Sequence, residues 1–167
     1  MTIWPFSTLT DAHRPVIPYL VAAWFACLIP AIAITAVLQA VLPPEMLEAV
    51  NSAVIDDAAP LWLQFVLIIV AAPIIETALM VVVFSILGVL RTPIWLQIII
   101  QAIGWGILHG AIAFAWGFAV TWLFFIFALV YVTQRQRSTL RAFWMTSAVH
   151  GLNNATASLG LIVELAT

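Results

Sequence analysis

The sequence predicts an all-α fold, a polytopic integral membrane helical bundle of about five transmembrane helices. Composition is the first reason: 65% of the 167 residues are hydrophobic and 7% are charged, too few polar groups to cover a soluble globule. The second reason is pattern, because the apolar residues form runs of the length that crosses a bilayer. A net charge of −2 with no lysine argues against a nucleic-acid-binding surface, which needs clustered positive charge.

The first sixty residues divide into an arm, a span and a loop. Residues 1–15 form an interfacial arm, and the apolar run that follows is too long for a cleaved signal peptide. We therefore expect residues 16–42 to be a retained first span. Residues 43–60 carry four carboxylates and form an acidic external loop. A four-residue apolar spacing that begins at Met46 indicates a short interfacial helix in this loop.

Four further apolar runs follow as spans. They cover residues 61–90, 94–113, 115–132 and 142–165, so that residues 1–167 form a single transmembrane domain. Five spans place all five arginines on one side of the membrane and the acidic loop on the other. Because short arginine-rich loops stay in the cytoplasm, the sequence predicts a cytoplasmic N-terminus and an external C-terminus.

Glu76 is an ionisable residue near the middle of the run 61–90. A carboxylate at that depth costs about 2.5–3.5 kcal/mol to insert, so we expect it to face protein or a wet cavity and to have a function. Pro73 lies three residues earlier and has no N–H to donate to the carbonyl of Ile69. The predicted kink leaves a free backbone acceptor beside the acid.

Two later spans carry polar residues at helical spacing. On the third span they are Gln97, Gln101, Trp105 and His109, and on the fifth they are Thr146, His150, Asn154 and Ser158. Side chains four residues apart share one helical face, and small residues nearby, such as Gly106 and Gly110, favour close helix approach. The pattern predicts a wet, amide-lined groove between the second, third and fifth spans. For any single residue of these faces, a structural role in a hydrogen bond between helices is as plausible as a functional role.

Three short motifs resemble one protein family. They are Ala72-Pro-Ile-Ile-Glu76, Trp105-x-x-x-His109 and His150-x-x-x-Asn154. Their order and spacing are similar to those of the CAAX protease and bacteriocin-processing (CPBP, or Abi) intramembrane metalloproteases, over about residues 60–160. The first motif of that family is Glu-Glu-x-x-x-Arg. In this chain the second glutamate position is Thr77 and the arginine position is Val81.

The resemblance implies an intramembrane endopeptidase. By position, Glu76 would activate water with the help of His109, and His150 and Asn154 would hold the developing oxyanion. These four residues are the expected catalytic set, and a membrane-associated peptide or protein is the implied substrate. Hydrolysis inside a membrane requires a base, a water molecule and hydrogen-bond donors for the oxyanion, which this set contains.

A metal-dependent version of the reaction is the alternative. Glu76, His109 and His150 could supply three zinc ligands and leave a fourth position for water. We rank it second because the sequence has no His-Glu-x-x-His cluster and because zinc leaves Asn154 without a role. The expectation is therefore no cofactor, with zinc as the second choice.

Two other classes of function compete with the peptidase. Thr77 and Val81 favour a non-catalytic, protease-like membrane scaffold or a peptide-binding, immunity-type protein. A haem electron carrier with His109 and His150 as axial ligands is the third class, although it leaves Glu76 unexplained. In each case the expected surroundings are a lipid bilayer, the bacterial inner (cytoplasmic) membrane, and no nucleic acid.

Overall fold

The computed structural model describes residues 6–47 and 60–166, and this part of the chain consists of helices and short connections, with no strand. The helices are α1 (Phe6–Leu9), α2 (Val16–Val41), α3 (Leu61–Val89), α4 (Ile94–Gly110), α5 (Phe114–Arg135) and α6 (Thr139–Ala166). The predicted all-α class is confirmed. The start of the predicted arm and most of the acidic loop lie outside the described residues. Residues 44–47 are helical, where the expected interfacial helix begins, and the rest of that helix lies outside the described part.

Three of the described helices, α2, α3 and α5, are long and apolar enough to cross a membrane. Helix α4 is apolar but has only 17 residues, and α6 has 28 residues with more polar side chains. Large apolar side chains face outward, for example Ile17 at 74% and Val89 at 83% exposure, as expected of a surface in contact with lipid. The protein is an α-helical membrane protein. The ends of each predicted span lie within about one helical turn of the ends of one of these five helices.

Helix α5 forms the centre of the bundle. It packs against α2, α4 and α6, and Ile126, Phe127 and Val130 are fully buried on it. A helix that is apolar around its circumference is buried by its neighbours, which is the arrangement found here. The groove predicted from sequence involved the second, third and fifth spans, whereas the fourth span, α5, has the most extensive buried surface.

Glycines bring α4 and α5 into direct backbone contact. A Cβ atom at Gly106 would collide with the hydroxyl of Thr121, and one at Gly117 would lie 2.6 Å from the carbonyl oxygen of Gly106. At Gly117 the obstacles are backbone atoms, so a larger residue there requires the helices to move apart, whereas at Gly106 rotation of the Thr121 side chain would relieve the closest contact. The close approach expected beside His109 is therefore present, and α5 is the helix that approaches.

The N-terminal arm packs onto the arginine-containing end of the bundle. Leu9 is fully buried, and the hydroxyl of Tyr19 donates to its carbonyl at 2.9 Å. His13, although exposed, accepts a 2.8 Å hydrogen bond at Nδ1 from Nη1 of Arg137 in the α5–α6 connection. The start of α2 and the end of α5 therefore meet at one end of the bundle.

Candidate functional site

A cavity of about 210 Å³ lies among helices α3, α4, α5 and α6. Its lining includes Glu76 from α3, His109 from α4, and His150 and Asn154 from α6. All four residues that the sequence singled out therefore meet in one place, although they come from three helices that are far apart in sequence.

Glu76 and His150 face each other across the cavity. Nε2 of His150 lies 3.9 Å from Oε2 of Glu76, and the two side chains are 6% and 20% exposed, respectively. This separation is too long for a direct hydrogen bond. Among the described residues, neither Oε2 of Glu76 nor Nδ1 of His150 has a hydrogen-bond partner. Both groups are therefore available to a small polar ligand such as water.

His109 has a defined arrangement of protons. Its Nδ1 lies 2.9 Å from the carbonyl oxygen of Trp105, and since a carbonyl can only accept, Nδ1 is the donor. The neutral ring then carries a lone pair on Nε2. The ring also packs edge-on against Trp116, with centroids 4.7 Å apart. His109 is thus held in one orientation and can accept a hydrogen bond at Nε2.

Aromatic residues of α5 hold the ring of His150. It stacks on Phe127 with centroids 4.5 Å apart, and Phe124 meets it at 5.5 Å in a T-shaped contact. These residues belong to an apolar wall of the cavity that was not predicted from the sequence and that consists of Trp116, Val120, Leu123, Phe124 and Phe127. These positions recur at helical spacing along one face of α5, which is the signal that could have revealed them.

The kink expected near Pro73 takes the form of a π-helical turn over Leu67–Ala71. Nδ2 of Asn154 donates a 2.9 Å hydrogen bond to the carbonyl of Ile68 within this turn. The neighbouring carbonyl of Ile69 would lie 2.9 Å from a Cβ atom at Gly151, so α6 approaches the turn closely. Such π turns occur often at functional sites. Asn154 thus stabilises the turn with one N–H and has a second N–H left.

The polar residues of α4, apart from His109, do not line the cavity, so the prediction of an amide-lined groove is wrong for this helix. Nε2 of Gln97 donates to the carbonyl of Thr92 at 2.7 Å, and Nε2 of Gln101 donates to that of Met80 at 2.8 Å. Nε1 of Trp105 in turn donates to Oε1 of Gln101 at 3.2 Å. Gln101 thereby joins α4 to α3, whereas Gln97 bonds to the connection between these two helices and the Trp105 bond lies within α4.

Comparisons of this chain with protein-family models, with curated proteins and with solved structures find no match. The chemistry of the site therefore rests on its own geometry.

The cavity residues do not fit a three-ligand zinc site. Among the described residues, no group of three or more His, Cys, Asp or Glu side chains is arranged to hold a metal ion. His150 and Glu76 face each other, but His109 does not join them as a third ligand at metal-binding distance. We therefore assign no step of a reaction to zinc.

A haem group also fits the cavity poorly. Drug-sized ligands occupy pockets of about 300–1,000 Å³, and this cavity of about 210 Å³ is smaller. The bis-histidine arrangement considered from sequence has no support in this geometry.

Proposed function

We propose that the protein is an intramembrane endopeptidase of the CPBP type, in which Glu76 activates water to attack a peptide bond of a membrane-associated substrate. The observation that supports it is the Glu76 carboxylate lying 3.9 Å from the imidazole of His150 in a cavity among apolar helices. Carboxylates at such depth are costly and usually functional. A base and a hydrogen-bond donor that face each other are the minimum set for hydrolysis.

In the first step, Glu76 takes a proton from water while the oxygen attacks the substrate carbonyl. Nε2 of His109 accepts the remaining O–H of that water, because its Nδ1 is already donating to Trp105. The water molecule is thereby oriented between an acid–base group and a fixed acceptor. Proton transfer to a positioned carboxylate accelerates such a step by about 10²–10⁴-fold.

In the second step, donors stabilise the tetrahedral intermediate. Nε2–H of His150 and the second N–H of Asn154 donate to the oxyanion, each worth about 2.7–4 kcal/mol at comparable sites. Glu76 then returns its proton to the leaving amine as the C–N bond breaks, so the carboxylate is regenerated. Both donors come from α6, and Phe127 and the π turn hold them in place.

We place the protein in the bacterial inner membrane with its N-terminus in the cytoplasm. The five arginines support this orientation by the preference of arginine-rich loops for the cytoplasmic side. The contact between His13 and Arg137 brings two of the arginine-containing segments to the same end of the bundle.

Comparing the small membrane proteome of cells that carry the wild type or Glu76→Gln tests the peptidase. The amide keeps the size of the side chain but cannot take a proton, so a defined precursor should accumulate uncut in the variant. Equal amounts of the two proteins in the membrane serve as the control. Identical peptide profiles at equal abundance would argue against hydrolysis.

A non-catalytic, peptide-binding scaffold is the second candidate. The observation that favours it is the hydrogen bond from Asn154 to Ile68, which engages one of the proposed oxyanion donors in a structural contact. A scaffold predicts that Glu76→Gln leaves a co-purifying membrane peptide bound at the wild-type level. A peptidase predicts that the same variant traps the uncut precursor.

A further inference from the structure

Serine and threonine hydroxyls in these helices fall into two groups. Those of Ser85, Thr121, Thr156 and Ser158 donate to the carbonyl four residues earlier, at 2.7–2.9 Å. Those of Thr77, Thr146 and Ser147 are at most 6% exposed, and within the described part of the chain they have no hydrogen-bond partner. Serine and threonine hydroxyls within helices often donate to the carbonyl four residues earlier in this way. The three buried hydroxyls that make no such bond therefore require a different hydrogen-bond partner.

The register of α3 against α6 indicates that the three hydroxyls lie near the Glu76–His150 pair. Helices α3 and α6 run in opposite directions, because α3 ends and α6 begins at the arginine-containing end of the bundle. Asn154 contacts Ile68, and His150 faces Glu76. Continuing this register toward the arginine end brings Thr77 on α3 opposite the Thr146–Ser147 turn of α6.

Orphaned buried polar atoms are concentrated at this point of the interface. Five of the seven such atoms among the described residues belong to α3 and α6: Oε2 of Glu76, Oγ1 of Thr77, Oγ1 of Thr146, Oγ of Ser147 and Nδ1 of His150. The other two are Oε1 of Gln97 on α4 and Nε2 of Gln134 on α5. Native proteins satisfy such groups with internal water, which typically makes about three hydrogen bonds. We propose that the hydroxyls of Thr77, Thr146 and Ser147 form a buried water site behind the Glu76–His150 pair, and that water held there hydrogen-bonds Nδ1 of His150.

Thr146 is the residue best placed to direct this water at the ring. It lies four residues before His150, so the two side chains are neighbours on one face of α6. Water that Thr146 anchors can donate to Nδ1, and the proton of the neutral imidazole then stays on Nε2, the nitrogen that faces Glu76. Thr146 acts through His150 and is therefore a positioning residue.

The water site stands on the buried hydroxyls alone, whereas its catalytic consequence rests on the proposed peptidase function. In that reaction, Nε2 of His150 must carry a proton in order to donate to the oxyanion. A ring with the proton on Nδ1 would present a lone pair to the oxyanion instead. Water behind the ring would thus determine whether His150 stabilises or opposes the intermediate.

Solid-state NMR of protein with ¹⁵N-labelled histidine in lipid bilayers measures both the tautomer and water contact. The chain has three histidines, so the spectrum of His150→Phe assigns the ring of interest. We expect the wild-type ring of His150 to carry its proton on Nε2 and to receive magnetisation from water. Thr146→Val should weaken the water transfer several-fold and populate the other tautomer, whereas Thr146→Ser, which keeps the hydroxyl, should restore both.

Ser147→Ala should also weaken the water transfer, and Ser85→Ala, which removes a back-bonded hydroxyl, is its matched control. If Thr146→Val does not fold, Thr77→Val provides the same readout from the facing helix. Unchanged water transfer and tautomer in both valine variants would overturn the water site. A raised melting temperature in both would also overturn it, since removing a dry, unpartnered hydroxyl relieves its burial cost. A water signal at His150 without cleavage of any substrate would leave the water site in place and refute only the peptidase.

Discussion

Helices α4 and α6 carry polar residues with the same four-residue spacing, yet their side chains have opposite surroundings. On α4, Gln97 and Gln101 donate to backbone carbonyls, and Trp105 donates to Gln101. On α6, Thr146 has a hydroxyl with no partner among the described residues, and His150 has an unpartnered Nδ1. On α4 the side-chain donors bond to acceptors within the protein, and Oε1 of Gln97 is the atom left without a partner in the described part of the chain. On α6 the unpartnered groups are the ring of His150, which lines the cavity, and the hydroxyl of Thr146 one helical turn away.

The difference shows that polar spacing in a membrane helix does not by itself separate structure from function. An amide that reaches a carbonyl of the neighbouring helix is satisfied and contributes to stability. A group that stays unsatisfied after folding is held for a ligand or for water. His109 belongs to both classes, because its Nδ1 donates to Trp105 while its ring lines the cavity.

The sharpest test of this contrast removes the imidazole of α6. His150→Phe keeps an aromatic ring on Phe127 but deletes both nitrogens, so we expect the bundle to fold normally. The rate of precursor cleavage should fall by about 10²–10³-fold, as expected for the loss of one oxyanion donor. Cleavage assays in liposomes at matched protein abundance measure the effect. A variant that cleaves at the wild-type rate would place His150 in the structural class.

Asn154→Ala should affect both rate and stability, because this residue of α6 has a structural and a proposed catalytic contact. Loss of the hydrogen bond to Ile68 leaves a carbonyl of the π turn unpaired, at a cost of about 1–3 kcal/mol. Cleavage should also slow by about 10²-fold. Thermal unfolding in detergent, run alongside the cleavage assay, separates the two effects. A change in stability without a change in rate would assign Asn154 to the turn alone.

Gly117→Ala should disturb the α4–α5 contact that positions His109. The new methyl group would lie 2.6 Å from the carbonyl of Gly106, so the helices must separate, at a cost of about 1–3 kcal/mol. Gly104→Ala is the matched control, since a Cβ there meets nothing within 4 Å. It should stabilise the helix by about 0.5–1 kcal/mol. Equal melting temperatures for the two variants would contradict the close α4–α5 approach.

Gln101→Leu has the smallest expected effect and completes the comparison. It deletes the hydrogen bond to Met80 and the acceptor of Trp105, which together stabilise the fold by about 1–2 kcal/mol. The cleavage rate per folded molecule should be unchanged, because Gln101 does not line the cavity. Unfolding measurements and the cleavage assay on the same sample check both statements. A large loss of cleavage rate in the folded variant would show that Gln101 contributes to the catalytic site.

Much of the fold follows from hydropathy, because runs of apolar residues must become helices in a bilayer. The positions of five long helices and the four cavity residues could be predicted from the sequence. The central place of α5 could not, since a helix with no polar motif gives no sign of which neighbours cover it. Its cavity-facing aromatic residues, such as Phe127, could be recognised only once their partners were known.

The hydrogen bonds of the amides were equally hidden from the sequence. Nothing in the spacing of Gln97 and Gln101 indicates that a carbonyl of Thr92 or Met80 lies within 2.8 Å. The expected kink near Pro73 is present as a π turn. The sequence pointed to the carbonyl of Ile69 as the one that Pro73 leaves without a donor, but the carbonyl that accepts the hydrogen bond from Asn154 is that of Ile68. Such contacts depend on the register between helices, which tertiary packing sets.

The most direct test of the account compares Glu76→Gln with Gln101→Leu in one experiment. Each variant is reconstituted in liposomes at equal abundance with the precursor that accumulates in Glu76→Gln cells, and cleavage per folded molecule is measured. We expect no detectable cleavage by Glu76→Gln and a wild-type rate for Gln101→Leu. Wild-type cleavage by Glu76→Gln would contradict the assignment of Glu76 as the base, and with it the functional reading of the cavity.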